Sequence, residues 1–176
     1  MKNQTRVTVW YGCLKDTPVG PVFAAVSARG VCAVDMGGSE AAFVDHVRQR
    51  TGAEVTFHSG QADAALQQIG EYLAGQRAEF TLPLDLSYLT VFQRQVLKAT
   101  LAVHCGRTAT YGEIARRIKR PRAARAVGQA LARNPISLVI PCHRVLASDG
   151  GLGGYSGARG LRTKEWLLKL EKAPRG

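Results

Sequence analysis

Cys142 is followed at once by His143. A thiol is a useful nucleophile as its thiolate, and a neighbouring imidazole is a base able to produce one. Successive side chains of an extended strand point to opposite faces, so contact between the two needs a bend or a bridging water. By itself the dipeptide also fits a structural cysteine. The other cysteines, Cys13, Cys32 and Cys105, form no C-x-x-C pair with it or with each other. That excludes the usual zinc-ribbon and thioredoxin-like patterns. They read as small buried hydrophobes, with a non-local site of Cys13, Cys32 and a histidine as the one metal arrangement left open.

The elements that position Cys142 are legible on both sides. Ser137-Leu138-Val139-Ile140 is an apolar run that predicts a short buried strand, ending at Pro141-Cys142-His143-Arg144. Asp149 to Gly157 contains Gly150, Gly151, Gly153 and Gly154. It lacks the spacing of a phosphate loop and reads as the flexible wall of a flat pocket. A final helix is predicted over about 160–172, with Trp166, Leu167 and Leu168 inward.

Three helices precede the cysteine. Thr90-x-x-Gln93 and Thr110-x-x-Glu113 are capping boxes, in which side chain and backbone satisfy each other's donors. Phe92, Val96, Ala99 and Val103 form an apolar stripe on the first helix, and Ile114, Ala115 and Ile118 point inward from the second. Lys119-Arg120 makes a turn, and Pro121 suits the first position of a third helix over about 121–133. There Arg122, Arg125, Gln129 and Arg133 share one face, opposite Ala123, Val127, Ala130 and Leu131. Two short helices, the second with an arginine face, form a helix-turn-helix pattern. Ala123, Ala124, Ala126 and Gly128 let that backbone approach a partner closely.

The N-terminal half alternates strand-like runs, Val7–Tyr11, Pro21–Val26 and Val31–Asp35, with turn signals, predicting a small antiparallel sheet. Helices are predicted after Ser39, ending at Thr51-Gly52, and over 61–74, with Leu66, Ile69, Tyr72 and Leu73 on one face. No catalytic constellation is visible there. The extended segment Phe80–Leu86 places a boundary between residues 1–87, a structural α/β domain, and residues 88–176, a mainly helical domain that carries the chemistry. The fold class is α+β.

Charge divides at the same place. Residues 1–87 hold seven Lys/Arg and nine Asp/Glu, a net of −2, whereas residues 88–176 hold seventeen and four, a net of +13. Such a concentration suits a polyanion, nucleic acid first, with a solvated basic face or an anionic membrane surface as alternatives. No apolar run reaches the roughly 18 residues of a membrane span, and Met1–Arg6 leads into no signal-peptide stretch. A cytoplasmic monomer is expected.

The run Ile140-Pro141-Cys142-His143-Arg144-Val145 resembles the active-site signature of the O6-alkylguanine-DNA alkyltransferases. The resemblance extends through Thr110-Tyr111-Gly112-Glu113-Ile114-Ala115, Arg125-Ala126-Val127-Gly128, Asn134-Pro135, Gly154-Tyr155-Ser156-Gly157 and Lys164-Glu165-Trp166-Leu167-Leu168. It covers about residues 88–171; before that only Thr17-Pro18-Val19-Gly20 is similar.

The resemblance implies repair of double-stranded DNA containing O6-alkylguanine, and also O4-alkylthymine. Cys142 is the implied alkyl acceptor, activated by His143 through a water, with Glu171 orienting the imidazole. Asn134 holds the turn before it, and Tyr111 donates to N3 of the guanine. Arg125 fills the space of an extruded nucleotide, while Arg122, Ala124, Ala126, Gly128 and Arg133 contact DNA from the minor-groove side. Arg144, Val145, Tyr155 and Ser156, largely through backbone groups, surround the base. The thioether has no easy hydrolysis route, so each molecule acts once, with no metal and no organic cofactor.

Two departures stand out. His104-Cys105 precedes Gly106 where the family often has a proline, and the N-terminal zinc ligands of some relatives are not reproduced. The zinc-bearing module of the adaptive-response regulators is likewise not expected. Rival readings are a non-catalytic lesion sensor or DNA-binding regulator on this fold, and a Cys-His hydrolase.

Overall fold

The computed structural model describes residues 7–173. The reading of Met1–Arg6 lies outside the described residues. Three strands, β1 (Thr8–Leu14), β2 (Val22–Ser27) and β3 (Gly30–Met36), form antiparallel neighbours with a bulge at Ala25/Val26. Helix α1 (Glu40–Thr51) then carries the chain across the sheet to β4 (Glu54–Phe57), which pairs parallel to β1. The order is β3-β2-β1-β4, so the sheet is mixed and not purely antiparallel. Sequence periodicity passed over β4 because it is a short edge strand with little burial. A long crossover of this kind is what a parallel partner requires.

Alternation, broken at the bulge where Cys32 is the extra residue of β3, sorts the two faces. Phe23, Ala25, Cys32 and Ala33 meet Phe43 and Val47 of α1 on one side. Val22, Ala24, Val31 and Val34 meet α2 (Ser59–Leu73) and the second half of the chain on the other. Ser39 caps α1 through the Ala42 N–H, and Gly52 ends it at φ 67°, as the spacing predicts.

The free edge of β3 does not stay free. Val31 bonds the linker at Pro83 and Asp85, and Val34 bonds Pro135 and Ser137, just ahead of Cys142. The N-terminal sheet thus braces the segment that carries the cysteine.

Both predicted capping boxes form, at the starts of α3 (Val91–Leu101) and α4 (Tyr111–Arg117). Lys119, at φ 59°, makes the turn. Helix α5 (Ala124–Ala132) begins three residues later than the sequence suggests: Pro121 lies in the turn, and Ala123 is an N-cap with no side-chain bond. Its polar flank, Arg125, Gln129 and Arg133, is exposed, whereas Val127, Ala130 and Leu131 are buried.

The predicted strand 137–140 is a buried turn instead, with Leu138 at φ 68°. Apolar content predicted its burial correctly. The chain must reverse between α5 and the cysteine, however, and Asn134 supplies the bonds that a strand partner would have supplied. Cys142–Arg144 form one 3-10 turn that leads into β6 (Val145–Leu146), which pairs in parallel with β5 (Ala109–Thr110), the strand just ahead of α4. This pairing sets Tyr111, the first residue of α4, beside the cysteine turn. Helix α6 (Leu161–Leu170) closes the fold, with Glu171 at its C-cap.

Candidate active site

Asn134 connects the end of α5 to the cysteine. Its Oδ1 accepts the Ile136 N–H at 3.1 Å, and its Nδ2 donates to the Ile140 carbonyl at 2.9 Å and to Cys142 Sγ at 3.3 Å. One buried amide thereby shapes the turn and holds the sulfur. Burial pushes the Cys142 thiol above its usual pKa, while the Asn134 bond and the Lys164 charge pull the other way. At rest the group is a thiol.

Behind it, His143 Nε2 lies 2.9 Å from Glu171 Oε1, with both side chains buried. Burial alone would raise the Glu171 pKa. Hydrogen bonds from His143, Arg144 and Tyr72 overcome it and hold the carboxyl at about 2. An ionised carboxylate can only accept, so Nε2 carries the imidazole proton. That leaves Nδ1 as a lone-pair acceptor with no protein partner. Burial, only partly opposed by Glu171, keeps His143 below its ordinary pKa and therefore neutral near pH 7. A neutral base stands next in the chain to a neutral thiol.

Cys142 opens into a cleft of about 730 Å3 between α5, Tyr111 and the loop at Gly154–Ser156. The cleft gathers Cys142, Tyr111, Tyr155, Ser156, Arg125 and Gly128, with Ala124 at the helix start. Burial raises the Tyr111 pKa, against a hydrogen bond from the Gly154 backbone, so its hydroxyl stays protonated. Arg122 and Arg133 are exposed outside the cleft near the two ends of α5, and Ala126 is half-buried on it.

The side chains of Arg144 and Val145 are buried and do not line the cleft. Arg144 is buried, its Nε 2.9 Å from Glu171 Oε2, its Nη2 2.8 Å from Oε1 and its Nη1 2.5 Å from the Val103 carbonyl. A guanidinium with a bidentate carboxylate behind the cysteine cannot also face the cleft. Val145 is fully buried, and its carbonyl accepts Lys164 Nζ at 2.6 Å.

Sequence reading missed two polar groups. Lys164 is fully buried on α6, bonding Val145 and, at 3.3 Å, Gly154, and burial lowers its pKa to about 8. Tyr72, seen only as part of an apolar helix face, reaches Glu171. A buried tyrosine must find a partner for its hydroxyl, and that was the available signal. Among the described residues no three His, Cys, Asp or Glu side chains gather to hold a metal, and the Cys32 thiol donates to the Ala25 carbonyl.

Residues 91–173 match the family model for the 6-O-methylguanine DNA methyltransferase DNA binding domain, and residues 9–86 match that for its ribonuclease-like domain. The chain belongs to this family. It is 40% identical over 157 residues to the methylated-DNA--protein-cysteine methyltransferase of Mycobacterium leprae, spanning 89% of each. It is 38% identical over 162 residues to the bifunctional transcriptional activator/DNA repair enzyme Ada of Escherichia coli, covering 90% of this chain and 44% of that one. The crystal structure of Mycobacterium tuberculosis OGT in complex with DNA superposes with a TM-score of 0.77 at 39% identity, covering 96% of both chains. Among the described residues no helix is long and apolar enough to cross a membrane.

Proposed function

We propose that this protein repairs alkylated double-stranded DNA by moving the alkyl group from O6 of guanine to Cys142 Sγ. The observation that carries the reading is Cys142 at an open cleft, held by Asn134 and backed by the His143–Glu171 pair, in a chain of this family.

The basic second half binds phosphates without regard to sequence, and the small residues of α5 lie in the minor groove. The lesion is inside the stack, so the nucleotide is extruded into the cleft, and Arg125 takes its place in the duplex. Backbone groups near Tyr155 and Ser156 hold the base, and Tyr111 donates to N3. His143 Nδ1 takes the thiol proton through a water. The sulfur then attacks the alkyl carbon, forming the S–C bond as the C–O6 bond breaks. Donation from Tyr111 reduces the charge on the departing guanine, which takes up one proton at a ring nitrogen, while His143 gives the proton it took from the thiol back to water, so that protons and charge balance. The product thioether is stable, so one molecule repairs one lesion. O4-alkylthymine fits the same chemistry.

Incubation with a duplex containing O6-methylguanine tests this by intact mass. One methyl group on the Cys142 peptide, in a one-to-one ratio with repaired sites, is the expected result. No mass gain supports a lesion sensor, and repeated turnover supports a hydrolase; either overturns the proposal.

A further inference from the structure

Tyr72 lies near the end of α2, in the half of the chain whose sequence suggests only a structural part, and its ring is 1% exposed. Its hydroxyl is 2.5 Å from Glu171 Oε1 and 3.2 Å from His143 Nε2. Since Nε2 carries the proton given to Glu171, the phenol has only the carboxylate as acceptor. Oε1 therefore receives donors from Tyr72, His143 and Arg144 together.

We propose that Tyr72 is a positioning residue of the alkyl-transfer site, sharing Glu171 Oε1 with the imidazole and so setting how firmly His143 holds a proton. The inference rests on Cys142 being the alkyl acceptor. Each donor on Oε1 draws charge away from the imidazole. With the phenol removed, more carboxylate charge faces His143, and the imidazolium is stabilised. The other groups around the pair are fixed: Arg144 on the same 3-10 turn, Cys105 after α3, Lys164 on α6, and Cys142 beside His143. Arg144 and Lys164 both oppose protonation of His143, and Tyr72→Phe removes neither charge. The Phe80 ring, 5.1 Å from that of Tyr72, packs equally well on phenylalanine.

The test compares full-length wild type with Tyr72→Phe. The rate of methyl transfer from an O6-methylguanine duplex is followed from about pH 5 to about pH 9, with thermal melting alongside. The acid-side midpoint is expected to rise by about half a pH unit or more, so that the variant is about three-fold or more slower well below the midpoint and matches wild type well above it. An unmoved midpoint, whether the rate is unchanged or uniformly reduced, overturns the inference. If Tyr72→Phe does not fold, 3-fluorotyrosine at position 72, a stronger donor, is read instead. It is expected to lower the midpoint, and an unmoved one again overturns the inference. A wild type that gains no methyl group overturns the function and this inference together, whereas an active wild type with an unmoved midpoint overturns the inference alone.

Discussion

Glu171 closes α6 and accepts the His143 Nε2 proton at 2.9 Å, which turns Nδ1 into the free lone pair of the pair. The same carboxylate neutralises Arg144, so one side chain both sets a tautomer and pairs a buried cation.

Loss of that carboxylate is expected to cost stability as well as rate. Glu171→Gln leaves Arg144 buried without its counter-charge, a change worth about 3–5 kcal/mol. Methyl transfer is expected to fall roughly 10- to 100-fold as the imidazole loses its orientation. Urea unfolding and single-turnover kinetics measure the two effects separately.

Acid should reveal the same pairing. The folded Glu171 pKa, about 2, lies below its ordinary value of 4.5. A depressed carboxylate contributes stability that is complete above the unfolded pKa and is lost as pH falls through the folded one. The contribution is roughly 3 kcal/mol. Stability is expected to decline between about pH 5 and about pH 2, and Glu171→Gln should flatten that part of the curve.

Asn134→Ala removes three hydrogen bonds from the cysteine turn. The Ile136 N–H and Ile140 carbonyl are left buried, at about 1–3 kcal/mol each. Thermal melting should show a large drop, and alkylation of Cys142 by a small thiol reagent should shift to higher pH as the sulfur loses a donor.

Arg125 is exposed on α5 at the cleft. Arg125→Ala is expected to weaken repair in duplex DNA and to affect reaction with free O6-benzylguanine less, because only the duplex has a space to fill. Equal losses on both substrates would contradict the part given to Arg125.

Gly153 sits at φ +65°, and a Cβ there would meet Tyr111 Oη at 2.7 Å. Gly153→Ala is expected to displace the tyrosine and slow methyl transfer while costing about 1 kcal/mol or more of stability. Binding of undamaged DNA, measured in parallel, should be little changed.

Local signals carried a large part of the molecule. Capping boxes, the Ser39 cap, the left-handed Gly52 and the two-faced α5 follow from interactions within a few residues, and each appears in the structure. Residues matched by resemblance, Cys142, Tyr111, Tyr155, Ser156 and Arg125, meet at one cleft. Where the reading failed, distant chain was responsible. β4 becomes a strand because β1 offers it an edge, and the turn at 137–140 is held on β3 by the Ser137–Val34 bond.

The sequence by itself determined the basic half, the capping boxes that open α3 and α4, and the family likeness that singles out Cys142, since these rest on residue type and short spacing. Only the tertiary structure decided what surrounds the cysteine. The Tyr72 hydroxyl is 99 positions from Glu171 in the chain, and Lys164 is 19 from the carbonyl it holds. Burial is what makes such contacts matter. A polar group taken out of water must find a partner wherever the fold brings one, and no periodicity along the chain records where that is.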